Sequence, residues 1–232
     1  MTALLDHLVV AAASLQQGVD WCEATLGVTP GPGGQHPLMG THNRLLKIET
    51  AGFPLAYLEI IAIDPAAAPP GRARWFGLDE PALQARLQQA PQLVHLVARS
   101  TQIEPLREAL LHVGLQPGEP ISASRDLPAS AATPASRLQW HILVRADGST
   151  GCGGALPTLI QWQGAHPAER MAASAVALES LRLHGLPLPA QAVLRMPGVA
   201  LFAAPGPAIT ATLHSPRGEV VLQSPLDLPA AA

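Results

Sequence analysis

The stretch Leu5-Asp6-His7-Leu8-Val9-Val10-Ala11 (LDHLVVA, residues 5–11) returns as Leu93-Val94-His95-Leu96-Val97-Ala98-Arg99 (LVHLVAR, residues 93–99). A shift of 88 residues (95 − 7) superimposes Leu, His, Leu and Val of the two. Each is short, apolar and rich in Val and Leu, the pattern of a buried strand. The segment after each copy repeats too. Ser14-Leu15-Gln16-Gln17 has the form of a capping box, and Leu15, Val19, Cys22 and Leu26 then mark one face of a helix that Gly27 stops. After the second copy, Ile103, Leu106, Leu110 and Val113 carry the same periodicity up to Gly114.

The later strands come in the same order. Thr41–Glu49 and Leu55–Ile63 read as two strands of the first unit, and Leu138–Val144 and Pro157–Gln163 as strands of the second. Residues 29–40 and 116–136 are rich in Pro, Gly, Ala and Ser and read as loops. A short helix over Glu80–Gln89, capped by Asp79, fills the connection. The pattern is an internal repeat of a βαβββ unit. The expected organisation is a first unit at 1–64, a linker with a short helix at 65–92, a second unit at 93–168 and a partial third at 169–232. In the third, VALESLRL, AITATLH and EVVLQS read as strands, with a Pro-rich stretch where a helix would stand and PLDLPAAA fraying at the end.

Composition narrows the function. Hydrophobic residues make up 48% of the 232 and charged residues 13%, which favours a packed core over disorder. The net charge of −3 and the single lysine, Lys47, give no basic footprint for nucleic acid. No run of 18 apolar residues suggests a membrane span, and no basic residue leads into the apolar stretch 8–15 as in a secretory signal. Cys22 and Cys152 make no disulfide framework, so a cytoplasmic, reducing location is the expectation. Phosphate-loop, nucleophile-elbow, H-E-x-x-H and C-x-x-C patterns are absent from the sequence.

Four blocks carry a resemblance: L-D-H-L-V-V at 5–10, H-P-L-M-G-T-H-N at 36–43, Y-L-E-I-I at 57–61 and L-I-Q-W-x-x-x-H-P at 159–167. With them the chain resembles the vicinal oxygen chelate superfamily of glyoxalase, bleomycin-resistance and extradiol dioxygenase proteins, in its glyoxalase-like branch. The resemblance implies an α+β fold in which paired βαβββ modules form an open half-barrel, here with a partial third module at the C-terminus. It implies a divalent metal (Fe, Mn, Ni, Co or Zn) held by His7, Glu59, His95 and Gln161, with Glu59 also a candidate general base. Gln161 departs from the more usual acidic ligand and would bind through a neutral amide oxygen. Lyase, isomerase and dioxygenase chemistry on a small oxygen-rich molecule are all compatible with that set.

Plainer readings stand beside these. His7 and His95 also suit satisfied core histidines, and Glu59 an edge strand facing water. His36, His42 and Asn43 are either turn and capping residues or a loop that donates hydrogen bonds to substrate. Trp75 and Phe76 are candidates to line a pocket, while Trp162, on the opposite face from Gln161, is expected to pack on a helix. The alternative function is a metal-free protein that binds or sequesters a small molecule. A homodimer is compatible with the superfamily, and the third module could equally cap the edge of a monomer.

Overall fold

The computed structural model describes residues 2–127 and 136–225. The eight residues of β1 (Leu4–Ala11) pair in parallel with β4 (Tyr57–Ile63), which pairs antiparallel with β3 (Thr41–Lys47). The two-residue β2 (Gln35–His36) completes the first unit. The second repeats the wiring: β5 (Gln92–Arg99) lies parallel to β8 (Thr158–Gln163), followed by β7 (Ser136–Val144) and β6 (Glu119–Leu127). Antiparallel pairing of β1 with β5 joins the units into one sheet of order β2-β3-β4-β1-β5-β8-β7-β6. This is the α+β architecture of paired βαβββ modules.

Strand β6 corrects the sequence reading of 116–136 as loop. Pro120 opens a strand at the sheet margin, where its missing N–H removes no ladder bond from a central position. Ile121, Ala123 and Arg125 turn inward while Ser122, Ser124 and Asp126 are exposed, an alternation hidden by the Ala/Ser-rich composition. Residues 116–118 of that expected loop are irregular as read, and 128–135 lie outside the described residues.

The helices that follow β1 and β5 cover one face of the sheet, while the short helix of the connection packs on the other. In α1 (Leu15–Leu26) the Ser14 hydroxyl accepts from the N–H of Gln17 at 3.2 Å, and Gly27 closes the helix at φ 73°. The Gln17 carboxamide reaches back to the N–H of Ala13 at 2.7 Å, one residue before the position a strict capping box would use. Removing the hydroxyl in Ser14→Ala is expected to lower stability by about 1 kcal/mol, read as a shift of the urea midpoint with unchanged slope. Helix α2 (Pro81–Leu87) starts on Glu80, not Asp79; the Asp79 carboxylate instead receives the backbone N–H of Arg74 and its guanidinium. Helix α3 (Ile103–His112) buries Ile103, Leu106 and Leu110.

The C-terminal region forms a second sheet of order β10-β9-β11-β12, from β9 (Ala177–His184), β10 (Val199–Phe202), β11 (Ile209–Ser215) and β12 (Gly218–Gln223). A helix, α4 (Leu188–Leu194), stands where the Pro-rich sequence suggested none; Pro187 and Pro189 sit at its start, where a missing N–H costs no helical bond. The wiring differs from that of the other two units, for β9 is parallel to β10 and antiparallel to β11. Leu181, Leu183, Ala211 and Leu213 of this sheet share one core with Leu93, Leu96, Leu106 and Leu110. The first sheet thus has a covered outer face and an inner face that lines a hollow. Of the expected frayed tail, residues 226–232 lie outside the described residues. No helix among the described residues is long and apolar enough to cross a membrane.

Candidate functional site

The hollow is built by two matching irregularities. Along the β1–β5 ladder, Leu5 opposes Ala98 and His7 opposes Val97, so Asp6 is an extra residue in β1. Two steps on, Val9 opposes His95 and Val10 opposes Leu93, so Val94 is extra in β5. A bulge places two consecutive side chains on one face. Leu5 and Leu8 pack in the outer core while Val9 lies in the hollow; Leu93 and Leu96 are outside while Val94 and Val97 are inside. Asp6 and His7 therefore face inward together, as do Val94 and His95. The duplication has kept the bulge and both histidines but has a carboxylate in one half only.

Asp6 is fully buried and meets three donors. Its Oδ1 lies 2.7 Å from His7 Nδ1, and its Oδ2 accepts from Trp162 Nε1 at 2.8 Å and contacts His166 Nε2 at 2.9 Å. The other side of His7 faces Glu59, with Nε2 to Oε2 at 3.5 Å, and Tyr57 stacks on the ring at 4.6 Å. Asn43 donates to Glu59 Oε1 at 2.5 Å while its own Oδ1 accepts from the N–H of Gly34 at 2.8 Å. Burial works against the charge on His7, but hydrogen bonds to Asp6 and Glu59 outweigh it and lift the imidazole to about 9. Burial likewise opposes ionisation of Glu59, and His7 overrides it, bringing the carboxyl down to about 2. Asp6 falls well below the usual carboxylate range: burial alone would raise it, and the hydrogen bonds from His166 and His7 prevail. At neutral pH an imidazolium thus lies between two carboxylates.

Of these groups His7, Asn43, Tyr57 and Glu59 line an inner cavity of about 40 Å³ with His36, Trp75, Phe76, Arg125, Trp140 and Trp162, while Asp6 and His166 are not part of its wall. That is room for about two water-sized groups. His36 contacts Thr41 Oγ1 at 3.1 Å, and burial pushes its ring down to about 4. Trp75 meets His36 edge-on at 5.1 Å and stacks on Phe76 at 5.3 Å. Phe76 holds φ 60°, a conformation that costs a non-glycine residue about 1–3 kcal/mol. The N–H of Gly77 bound to Gly148 O at 2.8 Å fixes the turn that imposes it.

Of the four implied metal ligands, His7 and Glu59 come together and the other two do not join them. His95 lines a different space with Phe76, whose ring lies 5.2 Å from its own. Burial drives His95 down to about 3, and its Nε2 lies 3.0 Å from Thr158 Oγ1 and accepts from the Thr158 N–H at 3.2 Å. Gln161 turns toward α3, its Oε1 3.5 Å from the N–H of Ile103. Trp162, expected on a helix, is the residue that faces the hollow; the two faces of β8 are the reverse of the sequence reading.

The register explains the exchange. Val9 lies beside Glu59, and its repeat counterpart Val97 lies beside Thr158, so Thr158 and not Gln161 occupies the place of Glu59. Among the described residues no group of three or more His, Cys, Asp and Glu side chains is arranged to hold a metal ion. The implied donor set does not fit a four-ligand centre. His42, on the opposite face of β3 from Asn43, leaves the site and approaches Asp64 at 3.9 Å. Asp6 and His166 escaped the sequence reading, although the block ending in His166-Pro167 contains two of the three donors to Asp6.

A family model described as a glyoxalase-like domain matches residues 5–193. The chain belongs to the glyoxalase-like domain family. That is the branch of the vicinal oxygen chelate superfamily to which the sequence blocks pointed. Among solved structures, a hypothetical protein from Staphylococcus aureus overlaps this glyoxalase-like chain with a TM-score of 0.53 and 16% identity, over 78% of this chain and 69% of its own. A Streptomyces coelicolor methylmalonyl-CoA epimerase variant with 2-nitronate-propionyl-CoA gives 0.42 and 15%, over 70% and 96%. The Mycobacterium tuberculosis methylmalonyl-CoA epimerase gives 0.37 and 17%, over 69% and 87%. The first likeness is one of fold, and the epimerase overlaps are weaker still. No curated protein matches the sequence.

Proposed function

We infer that this glyoxalase-like protein binds a small oxygen-bearing organic molecule, with its polar head in the inner cavity beside Asp6, His7 and Glu59. The observation that supports this is the histidine itself: Nδ1 is tied to a fully buried carboxylate, and Nε2 lies 3.5 Å from a second one, Glu59, on the wall of the same cavity. A ligand oxygen that enters there meets an imidazolium N–H oriented by Asp6. For any reaction at that oxygen, donation of the imidazolium proton suits the pair better than abstraction by Glu59, because a carboxyl near 2 is a weak base. Reaction class is open between lyase, isomerase and dioxygenase types, since fold does not fix chemistry.

One observation favours the metal reading: a carboxylate on the far ring nitrogen is also the usual support of a metal-bound histidine. Two measurements separate the readings. Ring nitrogens of His7, assigned by their loss in His7→Gln, are followed by NMR during titration with glycolate, pyruvate and oxalate. Saturable movement with at least one of the three is expected, and no movement with any would remove the proposal. In parallel, the melting temperature is expected to ignore added Mn²⁺, Ni²⁺, Co²⁺, Fe²⁺ and Zn²⁺. Stoichiometric metal in protein purified without chelator, lost in a His7→Ala/Glu59→Ala double variant, would establish the metalloprotein instead.

A further inference from the structure

Beside the inner cavity lies a second space of about 640 Å³, within the size range of small-molecule sites. Its wall is formed by the loop 28–33, by Leu45, Leu46 and Lys47 of β3, by Arg125 and Leu138, and by the segment 167–175. Leu45, Arg125, Leu138 and Pro167 line both spaces and form the partition between them. Most of this wall is aliphatic. Its charged members are Lys47, Arg125 and Arg170, and no Asp or Glu among the described residues lines it, although acidic residues outnumber basic ones in the chain.

Arg125 is the basic residue on the partition. Its Nη1 makes a long contact of 3.4 Å to Asn43 Oδ1, and its Nε is buried without a hydrogen-bond partner among the described residues. A guanidinium carries five N–H donors in a planar fork matched to a carboxylate. The place is prepared for it: a Cβ on Gly34 would stand 2.5 Å from Arg125 Cδ and 2.6 Å from Nη1. Glycine at 34 is what lets the arginine lie along the loop backbone.

We propose that the outer space holds the apolar body of an amphiphilic carboxylate whose anionic head is gripped by Arg125 at the mouth of the inner cavity. This names a ligand class for the His7 site and rests on the proposed binding there for what lies beyond the partition. Lys47, which is paired with Glu49 at 2.7 Å, and Arg170 lie along the same wall. A cationic or neutral amphiphile of equal length would gain the apolar contacts and lose the fork.

The test is calorimetric titration of the full chain with sodium octanoate, octylammonium chloride and 1-octanol. Octanoate is expected to bind one to one and at least tenfold more tightly than octylammonium. Arg125→Gln should weaken octanoate at least tenfold and leave 1-octanol within twofold. Gly34→Ala, which crowds the same guanidinium from the loop, should also weaken octanoate, and it decides the matter should Arg125→Gln fail to fold. Equal binding of the anion and the cation, octanoate binding untouched by both variants, or no binding of any of the three overturns the proposal. The His7 ring resonances keep the two readings apart. Arg125-dependent octanoate binding with those signals unmoved by any ligand sinks the inner-cavity reading alone. Glycolate moving them while octanoate stays inert sinks this one alone.

Discussion

Asp6→Ala is expected to lower the unfolding free energy by about 3–5 kcal/mol, the usual cost of removing one partner from a buried ionic group. The carboxylate it deletes has no exposure and serves His7, Trp162 and His166 at once. Alanine leaves those three ring nitrogens facing apolar surroundings, and it leaves the His7 charge with Glu59 alone. Asp6→Asn should lose less, since an amide oxygen can still accept from one or two of the donors. Urea unfolding with a lower midpoint and an unchanged slope would report this directly. A midpoint like that of the parent would mean that water reaches Asp6 and that the bulge does not bury it. The repeat supplies a control: Val94, the corresponding bulge residue, packs among apolar side chains, so Val94→Ala is expected to cost a smaller cavity-sized amount.

The pH profile of stability should have its maximum close to 6.5, with buried histidines governing both limbs. His7 is raised from 6.5 to about 9, so its contribution is complete below 6.5 and is lost as pH rises through 9. At about 1.4 kcal/mol per unit this amounts to roughly 3 kcal/mol across that window, shared with Asp6 and Glu59 as one coupled group. His36 and His95 run the other way. Burial lowers them to about 4 and about 3, so the unfolded chain takes up protons below 6.5 that the folded chain refuses. Stability then falls with pH from 6.5 downward, and below about 4.5 the unfolded chain also takes up protons on Glu59 and Asp6 that the folded chain refuses, which deepens the fall. Calorimetric melting from pH 4 to 9 measures both limbs. His7→Gln should flatten the alkaline side and His36→Gln should make the acid side shallower. A profile level from pH 5 to 8.5 would contradict the buried ion pair.

The repeat made the fold legible in the sequence, because two strands, two helical faces and two stops coincided. Half of the site was legible as well: His7, Glu59, His36, Asn43, Trp75 and Phe76 do line one cavity. What stayed hidden was facing. Alternation reveals the inner face of a strand only where one side is polar, and β1 is buried on both. A bulge then breaks the alternation without leaving any mark in the sequence, which is how Asp6 came to stand beside His7 unnoticed. In β8 the same ambiguity exchanged Gln161 for Thr158 and Trp162, since Leu159, Ile160 and Trp162 supply apolar candidates for either face. Strand β6 was lost for another reason. Its small residues satisfy an edge position without carrying a hydrophobic signal.

The connection between the copies contributes Trp75, Phe76, Leu78, Leu83 and Leu87 to the interior, so it serves as upholstery more than as a tether. A few residues gained or lost there would resize the chamber while leaving all eight ladder partners of the large sheet undisturbed. Relatives could thus come to prefer different guests by editing one short joint, with the doubled frame around it inherited unchanged.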